Sequence, residues 1–105
     1  MRTVEFRRLL NDQNSLRVRF ELEQGQVKKF IAQLECYIDG AWCPVVRYDT
    51  AHNFAHRDLI HPVRDAEKSE MAIRDYNEAF TFAIEDLADN WDKYRERYEQ
   101  WLKQT

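Results

Sequence analysis

The first half of the chain alternates apolar and polar residues, and the last third does not. In SLRVRFELE, Ser15 to Glu23, Leu16, Val18, Phe20 and Leu22 fall on one side and Arg17, Arg19, Glu21 and Glu23 on the other. A period of two is the pattern of a strand with one buried face. VKKFIAQLECYI repeats it, with Phe30, Ala32, Leu34, Cys36 and Ile38 on one face. Less regular strands are expected at Thr3 to Leu10, with Val4, Phe6 and Leu10 inward, and at Ala41 to Asp49. From Asp75 the period changes. Tyr76, Phe80, Ile84, Leu87, Trp91, Tyr94, Tyr98 and Leu102 recur at steps of three and four, which predicts a long amphipathic helix. Asp75 with Glu78 three residues on reads as an N-cap and its capping-box partner. Acidic residues in the early turns, with Lys93, Arg95, Arg97 and Lys103 late, suit the helix dipole.

Turn residues set the register. Asp39-Gly40 between two strands predicts a two-residue type I′ hairpin, because both positions require positive φ. It pairs Ile38 with Ala41, Tyr37 with Trp42 and Cys36 with Cys43, and puts Cys43 and Val45 on the core face. The outer face would then carry Arg7, Arg17, Arg19, Ile31, Tyr37, Trp42, Val46 and Tyr48. The turn before it must be odd in length to set Phe20 against Phe30, Val18 against Ala32 and Leu16 against Leu34. A three-residue loop, Gln24-Gly25-Gln26, meets that demand. Between the fourth strand and the helix, His56–His61 and Lys68–Ile73 can form a further short hairpin turning at Pro62–Ala66.

The expected architecture is therefore α+β, a single domain over 1–105. An antiparallel four-stranded meander spans 3–49, a histidine-containing loop or hairpin spans 50–74, and one C-terminal helix over 75–103 packs on one sheet face. That helix would run about 40 Å, against about 30 Å for a nine-residue strand. Its aromatic end is thus expected to overhang the sheet and support a homodimer, with the outer sheet face as the alternative contact.

Composition narrows the functions. The 105 residues carry 33% charged side chains of mixed sign and a net charge of −3, so no global field attracts polyanions and any such binding needs a local basic patch. No run of eighteen apolar residues or signal-like N-terminal segment occurs, so the expectation is a cytoplasmic protein with no membrane span. Cys36 and Cys43 fit neither a CxxC spacing nor a disulfide framework, and they read as small buried thiols. No cofactor is implied.

Candidate chemistry concentrates in RYDTAHNFAHRDLIHP, Arg47 to Pro62, which holds all three histidines with two arginines and two aspartates. A metal site is one reading, since HNFAH spaces His52 and His56 as in a helical two-histidine zinc site. Asn53, however, stands where that motif places its glutamate. In an extended backbone His56 and Asp58 also point away from Arg57 and His61, so no metal is expected. A second reading is acid–base chemistry on phosphodiesters. Imidazole exchanges protons near neutrality, arginine stabilises phosphorane-like charge, and aspartate holds an imidazole tautomer. Asp49, His52, His56, Arg57 and Asp58, with Arg47, are the parts of a metal-independent ribonuclease. The third reading is a polar loop in which aspartates cap turns, Asn53 takes a left-handed conformation and the histidines bond carbonyls. Taken alone, the residues favour the third.

YDTAHNFAHRDLIHP followed by NEAFTFAIEDLADNWDKY resembles a family of small uncharacterised prokaryotic proteins. In that family a Tyr-Asp-Thr-Ala-His-Gly segment precedes His-Arg-Asp and His-Pro, then a helix ending in Asn-Trp. The match covers about Trp42 to Tyr94, with Asn53 in place of glycine. More distantly, the histidine segment is similar to the TumE-type toxins of toxin–antitoxin loci, small α+β proteins thought to act on RNA. That resemblance implies Asp49, His52, His56, Arg57 and Asp58 as site residues, with RNA and an antitoxin protein as partners. Arg17, Arg19 and Arg47 among aromatics would bind single-stranded nucleic acid, although such a face is more often an oligomer interface. Two hypotheses result: an RNA-processing, toxin-like protein using the histidine segment, or a non-enzymatic dimeric binding module in which that segment serves the fold.

Overall fold

In the computed structural model, which describes residues 1–105, six antiparallel strands follow one another in chain order across one sheet. They are β1 (Arg2–Asn11), β2 (Asn14–Glu23), β3 (Gln26–Ile38), β4 (Ala41–Asp49), β5 (His56–Leu59) and β6 (Glu67–Glu70). A short 3-10 turn, Ala51–Asn53, links β4 to β5. One helix, α1 (Tyr76–Lys103), lies across β3 and touches β4 and β2 beside it. The α+β class and single C-terminal helix agree with the sequence, but the sheet has six strands where four were expected. The short hairpin after β4 does form, and its first strand continues the sheet. The edge of β4 offers unpaired backbone groups, and β5 satisfies them.

Both expected turn glycines sit at positive φ. Asp39 and Gly40 have φ of 51° and 84°, the two-residue hairpin expected. Gln24 and Gly25 have φ of 51° and 76°, and Glu23 pairs with Gln26. This turn has two residues, not three. The odd count is restored by a bulge at Lys28, so Phe20 still faces Phe30 and Leu16 faces Leu34. The helix helps to hold the bulge, since Asn77 Oδ1 accepts from the Val27 N–H at 2.8 Å.

A second bulge was not expected. Glu35 pairs with Pro44 and Leu34 with Val46, which leaves Val45 as an extra residue in β4. Its carbonyl accepts from the Ile60 N–H at 3.0 Å. Beyond it the strand is reversed relative to the expectation: Val46 and Tyr48 face the helix and are buried. They had been placed on the outer face, and Arg47 and Asp49 stand there instead. Side chains alternate, so one inserted residue exchanges the two faces.

The core lies between α1 and the sheet. Leu16, Val18, Phe30, Leu34, Cys36, Val45 and Val46 come from the strands, and Ala79, Ala83 and Leu87 from the helix. The alanines let the helix backbone approach the sheet closely, and Leu87 fills the space that follows. Asp75 caps α1, accepting from the Glu78 N–H at 3.0 Å, as expected. The helix is interrupted at Asn90, whose side chain reaches back to Asp86 Oδ1 at 2.9 Å.

The helix end does not overhang the sheet. At 13 residues β3 extends about 43 Å, which matches the roughly 42 Å of the 28-residue helix. Tyr94 and Tyr98 are buried, and the Trp101 ring stacks on His61 with centroids 4.8 Å apart. The expected dimer contact at an exposed aromatic end therefore loses its premise. Cys36 and Cys43 oppose each other as free thiols, the first buried and the second half-buried. No helix is long and apolar enough to cross a membrane.

Candidate functional site on the outer sheet face

Alternation along β4 and β5 divides the histidine segment between two faces. Toward the helix go Tyr48 and its cross-strand partner Arg57. The Tyr48 hydroxyl donates to Asp86 Oδ2 at 2.8 Å, and the Tyr94 hydroxyl donates to the same oxygen. Arg57 Nη1 donates to the Tyr94 hydroxyl at 3.3 Å. Burial, and then the Asp86 carboxylate, push both phenols above their ordinary pKa. Arg57, expected in the site, is thus part of a buried network on the opposite side of the sheet.

Away from the helix go Arg47, Asp49, His56 and Asp58. They belong to two cross-strand rows running through all six strands. One row is Arg7, Arg17, Gln33, Arg47, Asp58 and Lys68. The other is Glu5, Arg19, Ile31, Asp49, His56 and Glu70. On β1 to β4 the two rows line a groove of about 440 Å³. Arg17 and Arg19 face this groove as expected, and the bulge at Val45 brings Arg47 to it.

The arginines differ in what holds them. Arg7 Nη1 donates to Glu35 at 2.8 Å, and Arg19 lies 3.0 Å from Glu5. Arg47 donates through Nε to Gln33 Oε1 at 2.8 Å, and Gln33 donates to Glu35 at 2.7 Å. Both amino groups of Arg47 are left without a protein acceptor. Arg17 is exposed and has no carboxylate partner. The supporting pair Gln33 and Glu35 was missed. Both are buried, yet in the sequence they occupy the polar positions of an alternating strand, where solvated residues look the same.

At the β4–β5 end of the groove His56 is buried, with 5% of its side chain exposed. Its Nε2 lies 2.9 Å from Asp49 Oδ1 and 3.7 Å from Asp58 Oδ1. Its Nδ1 lies 3.5 Å from the Phe54 carbonyl oxygen. Both ring nitrogens therefore face acceptors. Asp58 Oδ2 is 3.6 Å from Lys68 Nζ, whereas Oδ1 is buried with no hydrogen-bond partner. Asp49, His56 and Asp58 form a cluster able to hold a metal ion, with one ligand atom of each inside 4.8 Å of the others. The sequence reading named all three residues but sought a metal in the HNFAH pair.

His52 is different. It is exposed at φ 67°, followed by Asn53 at φ 67°, and its ring centroid is 6.4 Å from that of His56. Two consecutive left-handed residues turn the chain out of β4, and Asn53 takes the conformation expected of it. Clefts of about 310 and 330 Å³ border His52, the second shared with His56. His61 stands apart: its Nδ1 accepts from the Val63 and Arg64 N–H groups at 3.1 and 2.9 Å. It ties down a turn.

Of the expected site residues, Asp49, His56 and Asp58 converge, His52 stands at their rim, and Arg57 lies behind the sheet. No curated protein and no solved structure matches this chain. A family model described as a domain of unknown function, DUF7718, matches residues 1–104, and the chain belongs to that family.

Proposed function

We propose that the protein binds RNA along the outer face of its sheet and processes it at His52, beside the groove. The observation that supports this reading is the pair Arg17 and Arg47. Their guanidinium groups stand in one cross-strand row with terminal nitrogens free of carboxylates, in a chain whose net charge is −3. Free guanidinium groups in a groove suit phosphate oxygens. His56 is buried between Asp49, Asp58 and the Phe54 carbonyl, so the accessible imidazole of His52 is the group for proton transfer. In that chemistry the ribose 2′-oxygen attacks phosphorus and its proton passes to His52. The P–O5′ bond breaks and the departing oxygen takes a proton from water, leaving a 2′,3′-cyclic phosphate. The likeness to toxin–antitoxin proteins would make an antitoxin protein the natural partner.

Fluorescence anisotropy with a single-stranded RNA oligonucleotide tests the binding half. Replacing Arg17 and Arg47 together with alanine should weaken affinity roughly tenfold and flatten the salt dependence by about two phosphate contacts. RNA binding absent in the parent protein, or unaltered in the double variant, would refute it. His52→Ala should abolish cleavage and spare binding. A second reading, binding without catalysis, draws on the sealed His56 and the turn-forming His61. It is the correct one if RNA remains intact with both parent and His52→Ala proteins.

A further inference from the structure

We propose that Asp49, His56 and Asp58 hold a divalent transition-metal ion, of the Zn2+ or Mn2+ kind, between β4 and β5. The first argument is an unanswered atom. The Asp58 side chain is 8% exposed, and its Oδ1 is buried without a hydrogen-bond partner, 3.7 Å from His56 Nε2. Buried carboxylate oxygens are ordinarily paired, and an isolated one calls for a cation. Lys68 does not answer it, because its amine reaches Oδ2 and is itself mostly exposed.

Distances supply the second argument. An ion bound at about 2.1 Å needs donor atoms separated by about 3.0 Å at octahedral cis positions or about 3.4 Å at tetrahedral ones. His56 Nε2 is 2.9 Å from Asp49 Oδ1 and 3.7 Å from Asp58 Oδ1, which brackets both geometries. The third argument is the far side of the ring. The Phe54 carbonyl lies 3.5 Å from Nδ1. A proton placed there leaves the Nε2 lone pair for the ion, the usual outer support of a ligating histidine. One imidazole nitrogen with two carboxylates favours a first-row transition ion over Ca2+ or Mg2+, which prefer oxygen alone. The cleft of about 330 Å³ that His56 shares with His52 and Glu70 gives a path of entry.

This inference stands apart from RNA binding, and the two are measured separately. The full chain is stripped with EDTA, passed into chelator-free buffer and titrated with Co2+, Zn2+ and Mn2+. Co2+ reports through its visible absorption and the others through calorimetry. One ion should bind per chain, with a rise in the melting midpoint as bound ion stabilises the fold. Asp58→Asn keeps the shape of the side chain and should weaken binding at least roughly tenfold, with an unchanged circular dichroism spectrum. His56→Gln should do the same, and Asp58→Asn serves alone if His56→Gln does not fold. The proposal is overturned if no ion binds saturably. Binding that survives intact in Asp58→Asn, or that is lost only in His52→Ala, overturns it too. RNA affinity measured in EDTA reports on the arginine groove alone, so either idea can fail without the other.

Discussion

Asp86 carries more of the fold than its half-buried position suggests, and Asp86→Ala measures how much. Its carboxylate accepts from the hydroxyls of Tyr48 and Tyr94 and from the Asn90 amide. The two tyrosines are 2% and 9% exposed, so water cannot replace the lost acceptor for Tyr48 and barely reaches Tyr94. Each stranded buried donor costs about 1–3 kcal/mol, whereas the Asn90 amide recovers a partner from solvent. Relief from burying the carboxylate returns part of this. The expected loss is about 3 kcal/mol, or roughly 12 °C in melting temperature for a domain of this size. Urea unfolding followed by tryptophan fluorescence gives the free energy. Tyr48→Phe alone should cost about 1 kcal/mol, and in its background Asp86→Ala should cost at least about 1 kcal/mol less. A loss under about 1 kcal/mol for Asp86→Ala, or coupling under about 0.5 kcal/mol in the cycle, would show that these hydroxyls do not depend on Asp86.

Other outcomes follow from the same geometry. Leu87 is fully buried between helix and sheet, so Leu87→Ala should cost about 2–5 kcal/mol in the same unfolding assay. Burial pushes the Cys36 thiol up from 9.0 to about 12 and raises the Tyr48 phenol as well. The folded chain then keeps protons that the unfolded chain releases. Stability is full below about pH 9 and falls as pH rises toward 12, by up to about 1.4 kcal/mol per pH unit for each group. Denaturation midpoints measured from pH 8 upward check the sign. At pH 8 iodoacetamide should label Cys43 in the native protein and spare Cys36, with both labelled in urea, as peptide mass spectrometry would read. Replacing His61 with alanine should lower stability, through the turn it ties and its stacking on Trp101, and leave RNA and metal binding untouched.

The fold was legible wherever one residue type reports one physical demand. Asp39-Gly40 declared its turn because few other pairs tolerate positive φ twice, and the spacing from Tyr76 to Leu102 declared the helix. The bulges were less legible. Parity between Phe20 and Phe30 required an odd number of residues, which a three-residue loop and a two-residue turn with a bulge satisfy equally. At Val45-Val46 two adjacent apolar residues break the alternation, the one local sign of the second bulge, whereas strict alternation puts Val45 inward and Val46 outward. That register sets Val46 and Tyr48 on the outer face, although both are buried against the helix. The site was legible as a set of residue types in one segment. Its partition was not, because whether Arg57 joins His56 or turns its back on it depends on pairing with β4. Gln33 and Glu35, which brace Arg47 and Arg7, carried no local mark at all.

The extra residue in β4 makes the stretch between the Asp39-Gly40 hairpin and Asp49 tolerant of one particular shortening. Without Val45, Pro44 would join Val46 directly, and because Glu35 already faces Pro44 and Leu34 already faces Val46, the ladder would close with Arg47 and Asp49 still outward and Tyr48 still inward. The loss would be local: one valine gone from the core and one carbonyl gone from the Ile60 N–H.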